Sequence, residues 1–356
     1  MKNIKMKITA LAMCSLVFAA CEPDETTTEP DKSVENGLYV LCEGLWHQNN
    51  STIDLFSLDN KSVQRDFFGT TNSVGLGDTG NDMIIYGSKG YVAVKESNCV
   101  IVFNKQNGKQ IQRIQMSDDQ TKPNMPSRLC AANGKVYVTC FSGYVVEIDT
   151  ASLEMKREIK VGRNPDGITL ARNKLFVSNS GGMSSVFDNT MSVIDLSIFD
   201  VTTINVGTNP TIARTTPDTN VIVMLNGDYN NIKPSLVRIN SSDNSIIETY
   251  DVNVSSFALC EDKIIYLYND YTTSTYQIKI APYDDITASS DFIKFYNDST
   301  SIQTPYCINV NTNRREVYLT DAKNYTTGGE VICFDYDGRM KYNFVTSINP
   351  SIVLQK

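Results

Sequence analysis

The sequence predicts an all-β chain folded as a seven-bladed β-propeller, closed by its C-terminal strand pairing into the first blade. Three recurring features carry that expectation. A short β-rich run centred on an aromatic or Ile recurs at Tyr39, Tyr91, Tyr137, Phe176, Ile222, Tyr266 and Tyr318, at intervals of 52, 46, 39, 46, 44 and 52 residues. An alternating strand follows each run and ends on an apolar residue before Asp or Asn: Phe103-Asn104, Ile148-Asp149, Ile194-Asp195, Ile239-Asn240 and Phe334-Asp335. Proline opens most repeats, at Pro126, Pro165, Pro210, Pro305 and Pro350. Four short strands in about 45 residues are the signature of a propeller blade.

Each element of the blade has a local cause. The hairpin signals Asn107-Gly108, Asn133-Gly134 and Asp337-Gly338 fall between landmarks, where tight turns favour residues that tolerate positive φ. No segment carries a 3.6-residue apolar period over helical length. Phe56-Ser57 is a weaker copy of the second landmark, and the sixth repeat offers only Tyr276-Gln277-Ile278. The first repeat begins at Leu38-Tyr39-Val40-Leu41, with no proline-led strand before it, while Pro350-Ser351-Ile352-Val353-Leu354 has nothing after it to build a blade. The C-terminal segment is therefore expected to supply the inner strand of the first blade, removing an open sheet edge.

The segment ahead of the repeats reads as an address. Lys2, Lys5 and Lys7 precede a 13-residue apolar stretch, Ile8 to Ala20. That is short against the about 20 residues of a membrane-spanning helix and fits a secretory signal. Phe18-Ala19-Ala20-Cys21 resembles a bacterial lipobox, with Phe where Leu is usual. The resemblance implies cleavage before Cys21 and lipidation of its thiol. Residues 21–36, with Glu22, Asp24, Glu25, Glu29 and Asp31, read as an acidic solvated tether. An acidic run behind the lipid-bearing Cys also resembles the export tails of Bacteroidetes surface lipoproteins. The expected organisation is thus a signal peptide over 1–20, a tether over 21–36 and a propeller over 37–356. The expected location is the outer membrane, lipid-anchored and facing outward.

Composition narrows the function classes. The chain has 32 basic and 40 acidic residues, a net charge of −8; without Lys2, Lys5 and Lys7 the balance is 29 against 40, or −11. A phosphate backbone would meet net repulsion, which argues against nucleic acid. The single His and single Trp are neighbours, Trp46-His47, so multi-His metal sites are excluded. Gly75-Leu76-Gly77-Asp78-Thr79-Gly80 fits G-x-G-x-x-G but lies between two blades, not between a strand and a helix. Asp335-Tyr336-Asp337-Gly338 lacks the remaining ligands of a calcium loop and reads as a hairpin turn. Beyond the leader and Cys21, the cysteines are Cys42, Cys99, Cys130, Cys140, Cys260, Cys307 and Cys333. An odd number without C-x-x-C pairs points to buried free thiols. No cofactor and no metal are expected.

The repeat resembles the YVTN or YncE-like propellers, carried most closely by Phe176-Val177-Ser178-Asn179 and Tyr137-Val138-Thr139-Cys140. One Trp cannot mark seven WD blades, and double glycines occur only at Gly181-Gly182 and Gly328-Gly329, too few for kelch blades. The stretch Leu76 to Met83 looks like a segment of Bacteroidetes surface propellers. Those include the BtuG-type lipoproteins, a resemblance that implies capture of a corrinoid such as cobalamin and its transfer to a TonB-dependent outer-membrane transporter.

The loops give candidates. Loops joining second to third strands share one face with the blade-to-blade connections, and here they are long and rich in Tyr, Trp, Asn and Gly, the composition of an adaptable recognition surface. Trp46, Tyr229, Tyr271 and Tyr325 are candidate stacking residues for a large neutral ring-bearing ligand. Asn49, Asn179 and Asn230 are candidate hydrogen-bond partners, and His47 sits beside Trp46. Two other classes stay open: a surface-layer or protein-interaction scaffold, and a propeller hydrolase or lactonase, for which Asp78, Asp82, Asp188 and Asp228 are acids on the same face.

Overall fold

The structure, a computed structural model, describes residues 34–117, 119, 121–182, 185–270, 275–294 and 302–356. They form seven four-stranded antiparallel sheets in a ring. The inner strands are Gly80–Tyr86, Pro126–Ala132, Pro165–Ala171, Pro210–Thr215, Val254–Cys260 and Pro305–Asn311 for blades two to seven. Blade one takes its inner strand, Pro350–Gln355, from the C-terminus, as expected; it pairs with Gly37–Cys42 from Leu38↔Gln355 to Cys42↔Pro350.

The core is seven seams rather than one interior. In a strand successive side chains point to opposite faces. Here each face of an inner or second strand meets a different neighbouring blade. Tyr39 and Leu41 enter the seam between blades one and two, while Leu38, Val40 and Cys42 enter the seam between blades seven and one. This is why the second strands are near-continuous apolar runs: both faces are packed. The first landmark is explained in the same way, since Tyr39, Tyr91, Tyr137, Phe176, Ile222, Tyr266 and Tyr318 are all at most 3% exposed.

The second landmark is a turn device. The terminal Asp or Asn of the third strand accepts hydrogen bonds from backbone amides two to four residues on, an Asx turn. Asn104 receives the amides of Gln106 and Asn107, Asp149 those of Ala151 and Ser152, and Asp335 those of Asp337 and Arg339, at 2.8–3.3 Å. Asp195 and Asn240 do the same for Ser197 and Ser242. Asp335-Tyr336-Asp337-Gly338 is thus a turn, with Gly338 at φ 81°.

One element was not foreseen. Blade one's outer strand is only Val63–Gln64, and a six-residue helix, Phe67–Asn72, follows it. The helix is too short to show a period. Asp66 caps it by accepting the Gly69 amide at 3.1 Å, and Phe68, 1% exposed, plugs the seam between blades one and two.

Two buried carboxylates lie in the blades that meet at the closure, one bonding across it and one within blade seven. Asp54 in blade one, fully buried, accepts the Ser347 amide at 2.6 Å and its hydroxyl at 2.9 Å from the last strand of blade seven. The Glu43 amide and the Asn349 carbonyl (2.9 Å) and the Asn349 side chain and Gly44 carbonyl (2.9 Å) continue the closure. Glu316 in blade seven is also fully buried. It accepts Arg314 Nε at 2.8 Å, Tyr318 OH at 2.7 Å and the Lys341 ammonium. Burial alone would raise its pKa, but these donors outweigh burial and bring it down to about 2.

Two expectations follow. Truncation after Asn349 deletes a strand whose backbone bonds contribute about 0.5–1.5 kcal/mol net each and bares two edges. The melting temperature should fall and oligomers should appear in size-exclusion chromatography; a monomer with the wild-type melting temperature refutes the closure. Glu316→Gln should cost roughly 3 kcal/mol at neutral pH, the equivalent of its lowered pKa. Because the folded pKa is depressed, that stability is present above the unfolded carboxyl value and is lost as pH falls toward 2. Wild type and variant should therefore converge in urea melts between pH 4.5 and 2.

Candidate functional site

Every inner strand carries a register shift near its N-terminal end. In blades three, four, five and seven it spans Pro126/Leu129, Pro165/Ile168, Pro210/Ala213 and Pro305/Ile308; in blades two and six it spans Gly80/Asp82 and Val254/Ser256. In blade one it lies at Ser351, between the partners of Leu41 and Cys42. A β-bulge adds one residue and re-aims side chains. Seven bulges around one axis turn a row of strand ends into a polar collar. Its members include Asn81 and Asp82, Ser127 and Arg128, Asp166, Tyr306 and Cys307.

The collar is hydrogen-bonded from blade to blade. Asn81 Nδ2 donates to the Ser127 hydroxyl at 3.0 Å, and Ser127 donates to Asp166 at 3.0 Å. Arg128 Nε lies 3.4 Å from Asp166 and another of its guanidinium nitrogens donates to the Asn81 carbonyl. Asp82 accepts the Leu129 amide at 2.8 Å. Tyr306 donates to Glu43 at 2.7 Å across the closing seam. Bulge amides are satisfied too, with Arg128 and Cys307 donating to Thr139 and Thr320 at 2.9 Å. Gly167 is required here, because a Cβ would stand 2.0 Å from the Thr211 carbonyl oxygen of the next blade.

Burial sets the charge states. It pushes the carboxyls of Glu43 and Asp82 above their ordinary range against the pull of Arg128, and lowers the Lys95 ammonium. It also lifts the Cys307 thiol to about 12. A carboxyl raised by burial keeps its proton to higher pH than an exposed one.

The loop face has a different character. Trp46 is 69% exposed and rests on the His47 ring at 4.0 Å. Asp78 clamps that loop, accepting the His47 and Asn49 amides at 3.2 and 3.1 Å, which gives the Leu76 to Met83 stretch a structural role. Tyr229 is 72% exposed, packs edge-on to Phe187 at 5.6 Å and accepts from Asn226 at 3.2 Å. Tyr229 and Asn230 line a cleft of about 460 Å³ with Ile232, Pro234 and Asn253. Tyr325, 47% exposed, meets the collar's Tyr306 edge-on at 6.1 Å. His47, Asn49, Tyr229 and Tyr325 all hold positive φ, at 60°, 51°, 59° and 65°, a region that bulky residues rarely adopt.

One expected ligand residue is corrected. Asn179 ends a strand, is fully buried and is spent on structure: its Oδ1 accepts the Gly162 amide at 3.1 Å, and its Nδ2 donates to Thr190 and Ser192 at 2.9 and 3.0 Å. Tyr271 and Cys21 lie outside the described residues. Of the remaining candidates, Trp46, His47 and Asn49 share the Asp78-clamped loop of blade one, Tyr229 and Asn230 share the cleft on blade five, and Tyr325 on blade seven meets Tyr306. Of the collar, the sequence reading offered Asp82 alone; Ser127, Arg128, Asp166, Tyr306 and Cys307 escaped it although they share a signal, the two positions after the repeat-opening proline.

A model for a domain of unknown function, DUF5074, matches residues 36–194, which span blades one to three and most of blade four. Comparison with curated proteins gives no match. Among solved structures, the chain is similar to a quinonprotein alcohol dehydrogenase-like protein of Bacteroides thetaiotaomicron, at 15% identity and TM-score 0.66 over 91% of this chain and 79% of the other. It is also similar to a candidate 6-phosphogluconolactonase of Bacteroides fragilis (10% identity, TM-score 0.61, covering 92% of this chain and all of the other). Hydrazine synthase of Kuenenia stuttgartiensis matches at 15% identity and TM-score 0.60, over 72% of this chain and 77% of that one. At these identities the likeness is one of fold.

Proposed function

We propose that the protein is a lipid-anchored capture protein of the outer membrane whose long-loop face holds a large, neutral, ring-bearing ligand. A corrinoid such as cobalamin is the first ligand to test, with hand-over to a TonB-dependent transporter. The observation that carries the reading is the exposure of Trp46, Tyr229 and Tyr325 on one face, each held by an aromatic neighbour. Exposed aromatics fixed in this way offer stacking area at little entropic cost. A small molecule would touch one group, whereas a broad ring system could span more.

Calorimetry with cobalamin tests the ligand. Trp46→Ala should weaken binding about thirtyfold, the equivalent of roughly 2 kcal/mol for a well-buried aromatic contact, with an unchanged melting temperature. Tyr229→Gly should weaken binding and raise stability by about 1 kcal/mol through relief of the left-handed backbone. No heat and no melting shift at about 100 μM cobalamin would refute the corrinoid reading. Cys21→Ala should abolish fatty-acid labelling in cells; unchanged labelling removes the anchor.

A second reading rests on the collar. Glu43 and Asp82, both held above their ordinary range beside Arg128, suit a hydrolase or lactonase. Turnover of a lactone panel that Glu43→Gln and Asp82→Asn abolish, with cobalamin inert, would favour it.

A further inference from the structure

We propose that the seam between blades five and six holds a second binding site, for a short neutral oligosaccharide. The sixth repeat breaks the pattern of the other six, and it does so on one face. On the side that meets the preceding blade, their third strands end with Phe56, Phe103, Ile148, Ile194, Ile239 and Phe334, none more than 1% exposed. Blade six has Ala281 in that place. Two residues earlier, each of the six has a side chain at most 2% exposed, whereas Lys279 is half-buried, and Gln277 beyond it is exposed. Directly opposite Lys279 on the second strand stands Tyr266, where five blades have Val and one has Leu. Opposed residues share a face of the sheet, so Tyr266 and Lys279 point the same way as Tyr268 and Gln277. The reverse face of that third strand is ordinary: Ile278 and Ile280 pack into the seam with blade seven.

Losing bulk at Ala281 and apolar character at Lys279 and Gln277 leaves the seam unfilled, as a cleft of about 780 Å³. Its opposite wall is the outer strand of blade five, with Glu248 and Tyr250, followed by Asp251. A second cleft of about 480 Å³ shares Asp251, Val252 and Tyr268 with the first and runs on to Pro234 and Ser235, so the space is elongated. Its size is that of sites for drug-sized molecules. The lining then selects the chemistry. Tyr250, Tyr266 and Tyr268 supply rings, and Tyr250 is fixed by donating to the Asp284 carbonyl at 3.0 Å. Among the described residues of the lining, the one cation, Lys279, is already paired with Asp291 at 2.7 Å, whereas Glu248, Asp251, Asp284 and Asp285 are acids. An anionic ligand is therefore repelled, and a wholly apolar one would strip these polar groups of water without replacing it. A neutral sugar chain satisfies both halves of the lining. Its C–H faces lie on tyrosine rings, while its hydroxyls donate to the carboxylates and accept from the Gln277 amide.

The proposal is independent of the loop-face reading, and its test keeps the two apart. The whole propeller is titrated by calorimetry with maltotriose, cellotriose, mannotriose, galactotriose and chitotriose at about 1 mM each, and with spermidine as a cationic comparison. At least one trisaccharide should bind, and spermidine should not. Tyr268→Ala should weaken that trisaccharide at least tenfold. Lys279→Ile, which restores the apolar side chain of an ordinary seam, should abolish binding at an unchanged or higher melting temperature. Trp46→Ala should leave the trisaccharide affinity intact, and Lys279→Ile should leave any heat from cobalamin intact. No heat from any of the five sugars overturns the site, as does heat from spermidine alone. Equal sugar affinity in wild type, Tyr268→Ala and Lys279→Ile overturns it too. Should Tyr268→Ala fail to give a native near-ultraviolet spectrum, Lys279→Ile and the exposed-site variant Asp284→Asn carry the same comparison.

Discussion

A ring of sheets is stable only if it is a ring. The second strand of each blade in this protein buries both faces, one against the blade before it and one against the blade after it. A blade without a neighbour would therefore expose half of its apolar side chains along with an edge of unpaired backbone groups. The closing pair, Pro350–Gln355 on Gly37–Cys42, is the point at which that condition is met. It is reinforced by Asp54, whose buried carboxylate is filled by donors from the last blade, so an ionised group is hidden without being left unsatisfied. Everything nearer the axis inherits its position from this junction, including Glu43 and Tyr306, which face each other across it.

The fold was legible in the sequence because its three landmarks are physical devices and not decoration. The aromatic landmark fills seams, the terminal Asp or Asn closes hairpins, and the proline opens the strand that will bulge. What escaped was whatever depends on three-dimensional convergence. Asn179 looked like a loop amide because it follows a YVTN-like strand, but the strand extends through it and turns its side chain inward. The helix Phe67–Asn72 replaces outer-strand packing within six residues, below the length at which periodicity can speak. Arg128 and Asp166 lie 38 residues apart along the chain, and their shared place behind a proline does not by itself say that the two side chains meet.

The candidate loop residues fared unevenly for a related reason. Exposure of Trp46 and Tyr229 was consistent with their composition, yet the clamp that holds Trp46 comes from Asp78, in the stretch between blades one and two. The face combines two environments of different chemistry. Its rim offers solvent-exposed rings set on left-handed backbone. Its centre offers charged groups whose ionisation is governed by burial. The Tyr325–Tyr306–Glu43 succession connects the two, from an exposed ring through a half-buried phenol to a half-buried carboxyl.

The bulges have an evolutionary corollary. Each blade commits most of its packing to the alternating residues of its regular strands, whereas the bulges carry polar side chains that bond to the next bulge, as Asn81, Ser127 and Asp166 do. Substitution there changes what the lumen offers and a bond between blades together, and at Gly167 it meets the Thr211 backbone. Lumen chemistry and scaffold stability are therefore coupled traits in this architecture. A lineage carrying it could change its cargo most freely at bulge side chains that bond to no neighbouring blade.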